Sequence, residues 1–450
     1  MSLILETLVN KIRIIKNMIH NKSYTLIFIL LLVITASSYA QPDTLFLSLD
    51  DAMNLAWKKS PAKQEASVDK RSGALSLASG ILGILPTPLT SATYTKSEIP
   101  TTPLTPDIQT KTYTGSVGLS QVLFDADAFS NVVKGKLTND YFRLQAKDKT
   151  ANLIYSVKTS YYTLAKAYNF FDAASASLAR ATDNYNLVKE KHRLGQITQF
   201  DLLRSQTFES QAKINLITAE KNLKVSGEDL KGQIGLDDNA ILKPTTTPSV
   251  PDMDFDIDNF IADIFNKNPN LLSARKSKSI ATTNHVSAYA NLIPSVNLFA
   301  QSNYSESLYP RKMSDWKDND VISYGVSLHF PIFEIKSFLL NIFSTRNELK
   351  RADVQLRKAE ILLRKSALNA LFSYREAKEN YQYASQNLEL NRQLLQLAQQ
   401  QYRLGAITQL DLFNTELNFD TAQNTYISAL YDTYINYAQI QYLLGIVNDR

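Results

Sequence analysis

The residues that could do chemistry in this chain are few and scattered. Its four histidines, His20, His192, His285 and His329, stand far apart, and none has metal-ligand spacing with another histidine or an acidic cluster. No cysteine is present, which removes disulfides, thiolate metal sites, a cysteine nucleophile and lipidation on an N-terminal cysteine. Phosphate-binding glycine loops and nucleophile elbows are missing as well. The acidic pairs Asp50-Asp51 and Asp237-Asp238 fall at a helix start and in a polar linker, where capping and solvation account for them. An enzyme, a metal site and a cofactor are therefore not expected. What does recur is a small charged constellation. Arg193-Leu194-Gly195 is followed by Asp201, and Arg403-Leu404-Gly405 by Asp411 at the same spacing.

That constellation belongs to a larger repetition. The stretch from His192 to Leu203 returns from Tyr402 to Phe413, offset by 210. Ser60-Pro61 recurs as Asn268-Pro269 and Leu85-Pro86 as Ile293-Pro294. Val117, Leu119 and Phe124 recur as Val326, Leu328 and Phe333, and Gly235 as Gly445. Landmarks that keep order and spacing fix the architecture first. Residues 41–450 read as one intertwined domain of two pseudo-symmetric repeats, about 41–240 and 250–450, and any function should be built from paired elements.

The N-terminus reads as an export signal over residues 1–40. Lys11, Arg13, Lys16 and Lys22 precede an apolar run, residues 26–33, and Ser38-Tyr39-Ala40 suits cleavage before Gln41. Met1 and Met18 both fit as its start. A membrane anchor is the other reading, but the apolar stretch is short for a span. The signal holds four positive charges and one negative, so its removal lowers the net charge from +5 to +2. Nucleic-acid binding thereby loses its electrostatic support. Only 13 glycines but 23 tyrosines are present. Scarce glycine suits long helices, and tyrosine suits wet barrel walls and membrane interfaces.

Two kinds of element must position the paired residues. Residues 89–96, 111–124, 296–304 and 321–330 alternate polar and apolar with period two, which predicts four strands of a length that spans a membrane when tilted. Residues 97–110 and 305–320 are polar loops joining them in pairs. Residues 125–192 and 334–403 predict two long helices. In the second, Leu363, Ala370, Ala377, Ala384, Asn391 and Ala398 keep a seven-residue register. Ala367, Tyr374, Tyr381, Leu388, Leu395 and Tyr402 each follow four residues later. The first repeat carries the same seam from Leu153 to His192. Positions i and i+4 share a helix face, and a strict heptad implies left-handed coiled-coil packing. At 1.5 Å per residue each helix reaches roughly 100 Å. Gly195 and Gly405 are placed as C-terminal caps, and Thr198 and Thr408 as N-caps of return helices over about 199–233 and 409–444. Asp201 and Asp411 then lie in a first turn, where negative charge is favoured. Residues 236–255, with three prolines, read as the linker.

Four strands form an open sheet, and an open edge cannot sit in lipid. Several chains must close one barrel if these strands span. A self-sufficient porin is ruled out on strand number.

The doubled helix–strand–strand–helix layout, the Arg-Leu-Gly tips and the Asn-Pro-type helix ends together resemble the TolC-like outer-membrane efflux proteins, across essentially all of residues 41–450. The resemblance implies a mainly α fold with a β-barrel part. Long coiled-coil helices would form an α-barrel, four transmembrane strands per chain a β-barrel, and three chains would close both. It implies the outer-membrane exit duct of a tripartite efflux or type I secretion system, reaching into the periplasm of a Gram-negative type envelope. Its partners would be two further copies, a periplasmic adaptor (membrane fusion) protein, an inner-membrane pump or exporter and outer-membrane lipid. Arg193, Leu194, Gly195, Arg403, Leu404 and Gly405 then become adaptor-docking tips, although leucine and glycine also simply build a turn. Asp411 matches the carboxylate ring at the closed periplasmic aperture, where three copies would repel one another and attract cations. Asn414 stands where some members carry a second acid. Asp201 and Tyr402 match positions that hold neighbouring helix pairs closed. A plain charge at a helix N-terminus for Asp411 and an ordinary seam position for Tyr402 are the alternatives. The competing function is a secreted or periplasmic coiled-coil scaffold, which explains the heptads but not the paired strands.

Overall fold

The computed structural model describes residues 44–99, 108–237, 240–245, 253, 255–290, 292–330 and 335–446; the predicted signal lies outside them. Two compact units emerge. The small one, residues 44–48 with 237 and 240–245, holds two four-residue strands, β1 (Thr44–Leu47) and β4 (Ile241–Pro244). They pair in parallel, Thr44 opposite Ile241 and Leu47 opposite Pro244, and the Thr245 amide donates to the Leu47 carbonyl at 3.0 Å. The stretch expected to be plain linker therefore contains a strand, too short to show a period of its own.

In the larger unit each repeat opens with a short helix, α1 (Leu49–Lys59) or α5 (Ile257–Lys267). Ser60-Pro61 and Asn268-Pro269 end them, since proline disfavours helical backbone in the preceding residue and starts the next helix well. Those next helices are α2 (Pro61–Leu82) and α6 (Pro269–Ala290). Asn268 is buried and ties this junction to the end of the second repeat. Its Oδ1 accepts from the Leu271 amide and its Nδ2 donates to the Leu443 carbonyl, each at 3.0 Å.

Four antiparallel strands follow the helices in pairs: β2 (Thr87–Ile99), β3 (Ile108–Phe124), β5 (Ser295–Glu306) and β6 (Asp320–His329). They form one sheet in the order β2-β3-β5-β6, so the two repeats meet at β3–β5, and β2 and β6 each keep a free edge. The register sorts the side chains cleanly. Thr90, Val117, Ser302 and Ile322 lie side by side across the sheet, as do Pro88, Leu119, Ala300 and Tyr324. This apolar face also carries Leu298, Val326 and Leu328, all well exposed. The opposite face is lined with serine, threonine, asparagine and glutamine. At the end remote from the helices, Tyr94 and Tyr113 pack at 4.9 Å, Tyr113 and Tyr309 at 5.6 Å, and Tyr304 and Trp316 at 5.4 Å. Trp316 sits on a single-turn helix, α7 (Met313–Lys317), and donates to Ser302 Oγ at 2.9 Å. Aromatic rings at the rim of an apolar band mark a membrane interface.

The long helices are α3 (Ala126–Arg193, 68 residues) and α8 (Ile335–Arg403, 69 residues), each about 100 Å at 1.5 Å per residue. Each returns through a shorter helix, α4 (Gln199–Ile234) or α9 (Gln409–Leu443). The Asp125 side chain starts α3 by accepting from the Asp127 and Ala128 amides. The expected seam of α8 is where burial falls: Ala367, Ala370, Tyr374, Ala377, Ala384, Leu388, Leu395, Ala398 and Tyr402 are all buried. A second seam on α4, Ser205, Glu209, Ala212, Ala219, Ser226 and Leu230, has the same spacing. No helix among the described residues is long and apolar enough to cross a membrane.

Near the sheet, α2 and α3 approach through glycine. A β-carbon on Gly80 would lie 2.6 Å from the Asn131 carbonyl oxygen, and one on Gly135 would lie 2.7 Å from that of Ser76. Gly227 in α4 faces open space among the described residues. Gly80→Ala and Gly135→Ala should each cost about 1–3 kcal/mol by overpacking. Gly227→Ala should stabilise by up to about 1 kcal/mol through helix propensity. Thermal melts of the three detergent-extracted variants check the opposite signs.

Candidate functional site

The paired constellations sit at the tips of the two helical hairpins, built the same way twice. Gly195 (φ 72°) and Gly405 (φ 74°) take the left-handed conformation that ends each long helix. The Gln196 and Ala406 amides close the turns on the Lys191 and Gln401 carbonyls. A β-carbon at either glycine would meet nothing among the described residues within 4 Å, so the backbone angle alone requires glycine there. Leu194 and Leu404 are 56% and 84% exposed. Arg193 is engaged within its own helix: its Nε donates to both Glu190 carboxylate oxygens at 2.9 Å. Arg403 is exposed and makes no ion pair among the described residues.

Thr198 and Thr408 cap the return helices, and Asp411 completes a capping box with Thr408. Thr408 Oγ1 accepts from the Asp411 amide at 3.2 Å, and Asp411 Oδ2 accepts from the Thr408 amide at 3.1 Å and hydroxyl at 2.6 Å. These bonds hold the exposed Asp411 carboxyl below the usual carboxylate range, so it stays ionised. Asp201 accepts from the Thr198 hydroxyl at 2.7 Å. Its carbonyl accepts from Gln409 Nε2 at 3.4 Å, which links the two hairpins. Tyr402 is buried among Ala398, Leu412 and Ile407 under the Lys191 ammonium, 4.7 Å from the ring centre. Burial first, then the Asp201 and Glu416 charges, push its phenol up. Asp201 and Tyr402 are thus brought together electrostatically, whereas Asp411 faces solvent apart from them.

Above the tips, α3 and α9 run antiparallel and join the two repeats through a ladder of polar contacts. Lys166 meets Asp432 at 3.0 Å, and Asn169 meets the Tyr431 hydroxyl at 2.9 Å. The Ser177 hydroxyl donates to Asp420 at 2.6 Å, and Arg180 pairs with Asp420 too. The lowest rung is Asn184 against Glu416, at 3.4–3.5 Å. One guanidinium here serves two carboxylates. Burial, opposed by Arg180 and Asn184 and aided by Asp420, pushes Glu416 up to about 7. Sequence analysis missed this cluster. The available signal was two polar pairs at helical i,i+4 spacing, Arg180 with Asn184 and Glu416 with Asp420, on the helices joining the repeats.

No cluster of histidine and acidic residues suited to a metal occurs among the described residues. Two long helical hairpins, tips with bare leucines and a sheet with one apolar face define a channel-forming envelope protein. The family signature of outer membrane efflux proteins matches residues 83–236 and 261–446, and the chain belongs to that family. It is therefore an outer-membrane exit duct for efflux or secretion. This leaves the free coiled-coil scaffold without support. The chain is 22% identical over 427 residues to the alkaline protease secretion protein AprF of Pseudomonas aeruginosa, covering 90% of this chain and 86% of that protein. Its fold is similar to the Campylobacter jejuni CmeC outer membrane channel, with TM-score 0.79 and 15% identity over 88% of this chain and 85% of that one. The Vibrio cholerae outer membrane protein VceC gives 0.75 and 16%, over 88% and 96%.

The Glu416 cluster makes the α3–α9 seam sensitive to pH. A carboxyl raised in the folded state binds more protons than in the unfolded chain between its ordinary value near 4.5 and about 7. Stability then falls as pH rises through that window. Thermal melts of extracted protein from pH 5 to 8 should show this loss, and Glu416→Gln should flatten it.

Proposed function

We propose that three copies of this chain close one twelve-stranded barrel in the outer membrane and continue it as a helical tunnel into the periplasm. The observation that carries this reading is the sheet, with one apolar face and two free edges. In lipid those edges require partners, and copies of the same chain supply them as β6 against β2. The helices ask for the same neighbours. Ile214 and Ile217 on α4, and Tyr383, Leu390 and Leu397 on α8, form exposed apolar stripes at helix-packing spacing. Twelve strands follow from three copies; the strand lengths suit a tilted span.

The duct conducts passively, and a periplasmic adaptor with an inner-membrane pump or exporter delivers the cargo. The adaptor docks on the tips, where Leu194 and Leu404 offer apolar contact and Arg403 an uncommitted charge. Arg193 contributes less, because Glu190 already holds it. Three copies of Asp411 ring the periplasmic aperture, while Asp201, Gln409, Tyr402 and Lys191 fasten one hairpin to the other beside it. Likeness to a protein named for protease secretion supports polypeptide among the cargo.

Negative-stain imaging of detergent-extracted protein should show a threefold tube with a tapered helical part of roughly 100 Å. Monomers recovered without detergent would sink the channel. In planar bilayers, Asp411→Asn should lower cation selectivity several-fold and raise open probability, since a charged ring is what attracts cations. Site-specific crosslinking to the adaptor should weaken more for Arg403→Glu than for Arg193→Glu.

A further inference from the structure

The sheet's polar face is unusual in one respect: it carries no fixed charge. From the register, this face comprises Leu89, Ser91, Thr93 and Thr95 on β2, and Thr112, Thr114, Ser116, Gly118 and Ser120 on β3. It continues as Asn297, Phe299, Gln301 and Asn303 on β5, and Val321, Ser323, Gly325 and Ser327 on β6. His329, at the helix end, is its one titratable side chain among the described residues. The sheet does contain five charged residues: Lys96, Glu98, Lys111, Glu306 and Asp320. All five fall on the opposite, apolar parity. Lys96 stands opposite Lys111, Glu306 opposite Tyr113, and Asp320 opposite Tyr304. They cluster at the end remote from the helices, level with or beyond the tyrosines, where a lipid headgroup layer would solvate them.

We propose that the outer-membrane section of this duct is an uncharged, hydroxyl- and amide-lined wall that admits cargo of either charge sign, as an extended polypeptide requires. The proposal rests on the barrel reading above, which turns the polar face inward. Low-dielectric walls focus the field of any fixed charge, and a charged ring holds ions of one sign while repelling the other. A chain bearing both signs would stall at such a ring. Hydroxyls and amides instead exchange hydrogen bonds with a passing cargo at little net cost, because each bond made replaces one to water. Any selection by sign then belongs to the helical end, where Asp411 lies.

Absence of native cysteine makes the test direct. Ser116→Cys, Ser323→Cys and Val326→Cys are each reconstituted as the full channel in planar bilayers. Cationic and anionic methanethiosulfonates of similar size are applied from the extracellular side. The ratio of their rates is divided by the same ratio for a free thiol in that buffer. The expected result is reaction at residues 116 and 323 with a normalised ratio within about twofold of one, and no reaction at residue 326. A preference of about tenfold or more for either reagent, equal to a wall potential of about one kT per unit charge or more because the two reagents differ by two charges, overturns the neutral wall but leaves the barrel standing. No reaction at any of the three also overturns it, since the wall would not line a wet passage. Reaction at residue 326 overturns the barrel reading instead. Adding Ser116→Lys to the Ser323→Cys channel should shift the ratio several-fold towards the anionic reagent, which shows that the assay senses a wall charge.

Discussion

Two unpaired strand edges set the terms for the rest of the molecule. Hydrocarbon offers backbone N–H and C=O groups no partner, so a spanning sheet must close on itself. One chain supplies four strands with β2 and β6 left open, so in the proposed barrel closure falls to further copies. A ring of strands would then dictate a ring of helices beneath it, because α3 and α8 each come after a strand. The apolar stripes left on α4 and α8 answer the same demand in helical form.

Pseudo-symmetry is enforced at the helix ends rather than along their lengths. Gly195, Gly235, Gly405 and Gly445 all take left-handed backbone, two per repeat. Gly235 lies against the Lys59 carbonyl and Gly445 against that of Lys267, with no room for a β-carbon at either. Each return helix therefore stops against the Ser-Pro or Asn-Pro junction of its own repeat. The repeats diverge where packing permits. In the first, Gly80 and Gly135 bring α2 close to α3. In the second, α6 lies between α3 and α8 and bonds to both, through Lys276 with Asp140 and Lys278 with Asp353.

Much of this was legible because it is periodic. Strand alternation, the heptad of α8 and the doubled Arg-Leu-Gly turn each announce themselves within one chain segment, and the elements fall within a few residues of expectation. Features built from two distant segments were not legible. The β1–β4 pair is too short for a period. Arg180 meets Asp420 only because α3 and α9 run antiparallel in one register, and no local pattern encodes that register. The commitment of Arg193 to Glu190 was readable, since i,i+3 pairing is local, but the exposed tip drew attention to docking instead. Asp201 and Asp411 were readable as first-turn charges behind their threonine caps, and only family likeness gives Asp411 a further role.

The chemistry of the seams explains which parts can move. Alanines, leucines and aromatic rings join α8 to α9, and the α4 seam against α3 mixes Ala212, Ala219 and Leu230 with Ser205, Glu209 and Ser226. Parting either hairpin would expose apolar area at roughly 25 cal/mol per Å². The α3–α9 seam is held by stacked tyrosines in its upper part, Tyr155 on Tyr442 and Tyr162 on Tyr434, and by polar rungs below, from Lys166–Asp432 down to Asn184–Glu416. A hydrogen bond traded for water costs only about 1 kcal/mol net, and Glu416 lowers the cost further once ionised beside Asp420. The boundary between repeats is therefore the seam with the most exchangeable contacts. It ends next to Asp201, Gln409 and Tyr402, so in the proposed duct a widening of the aperture would open the lowest polar rungs first.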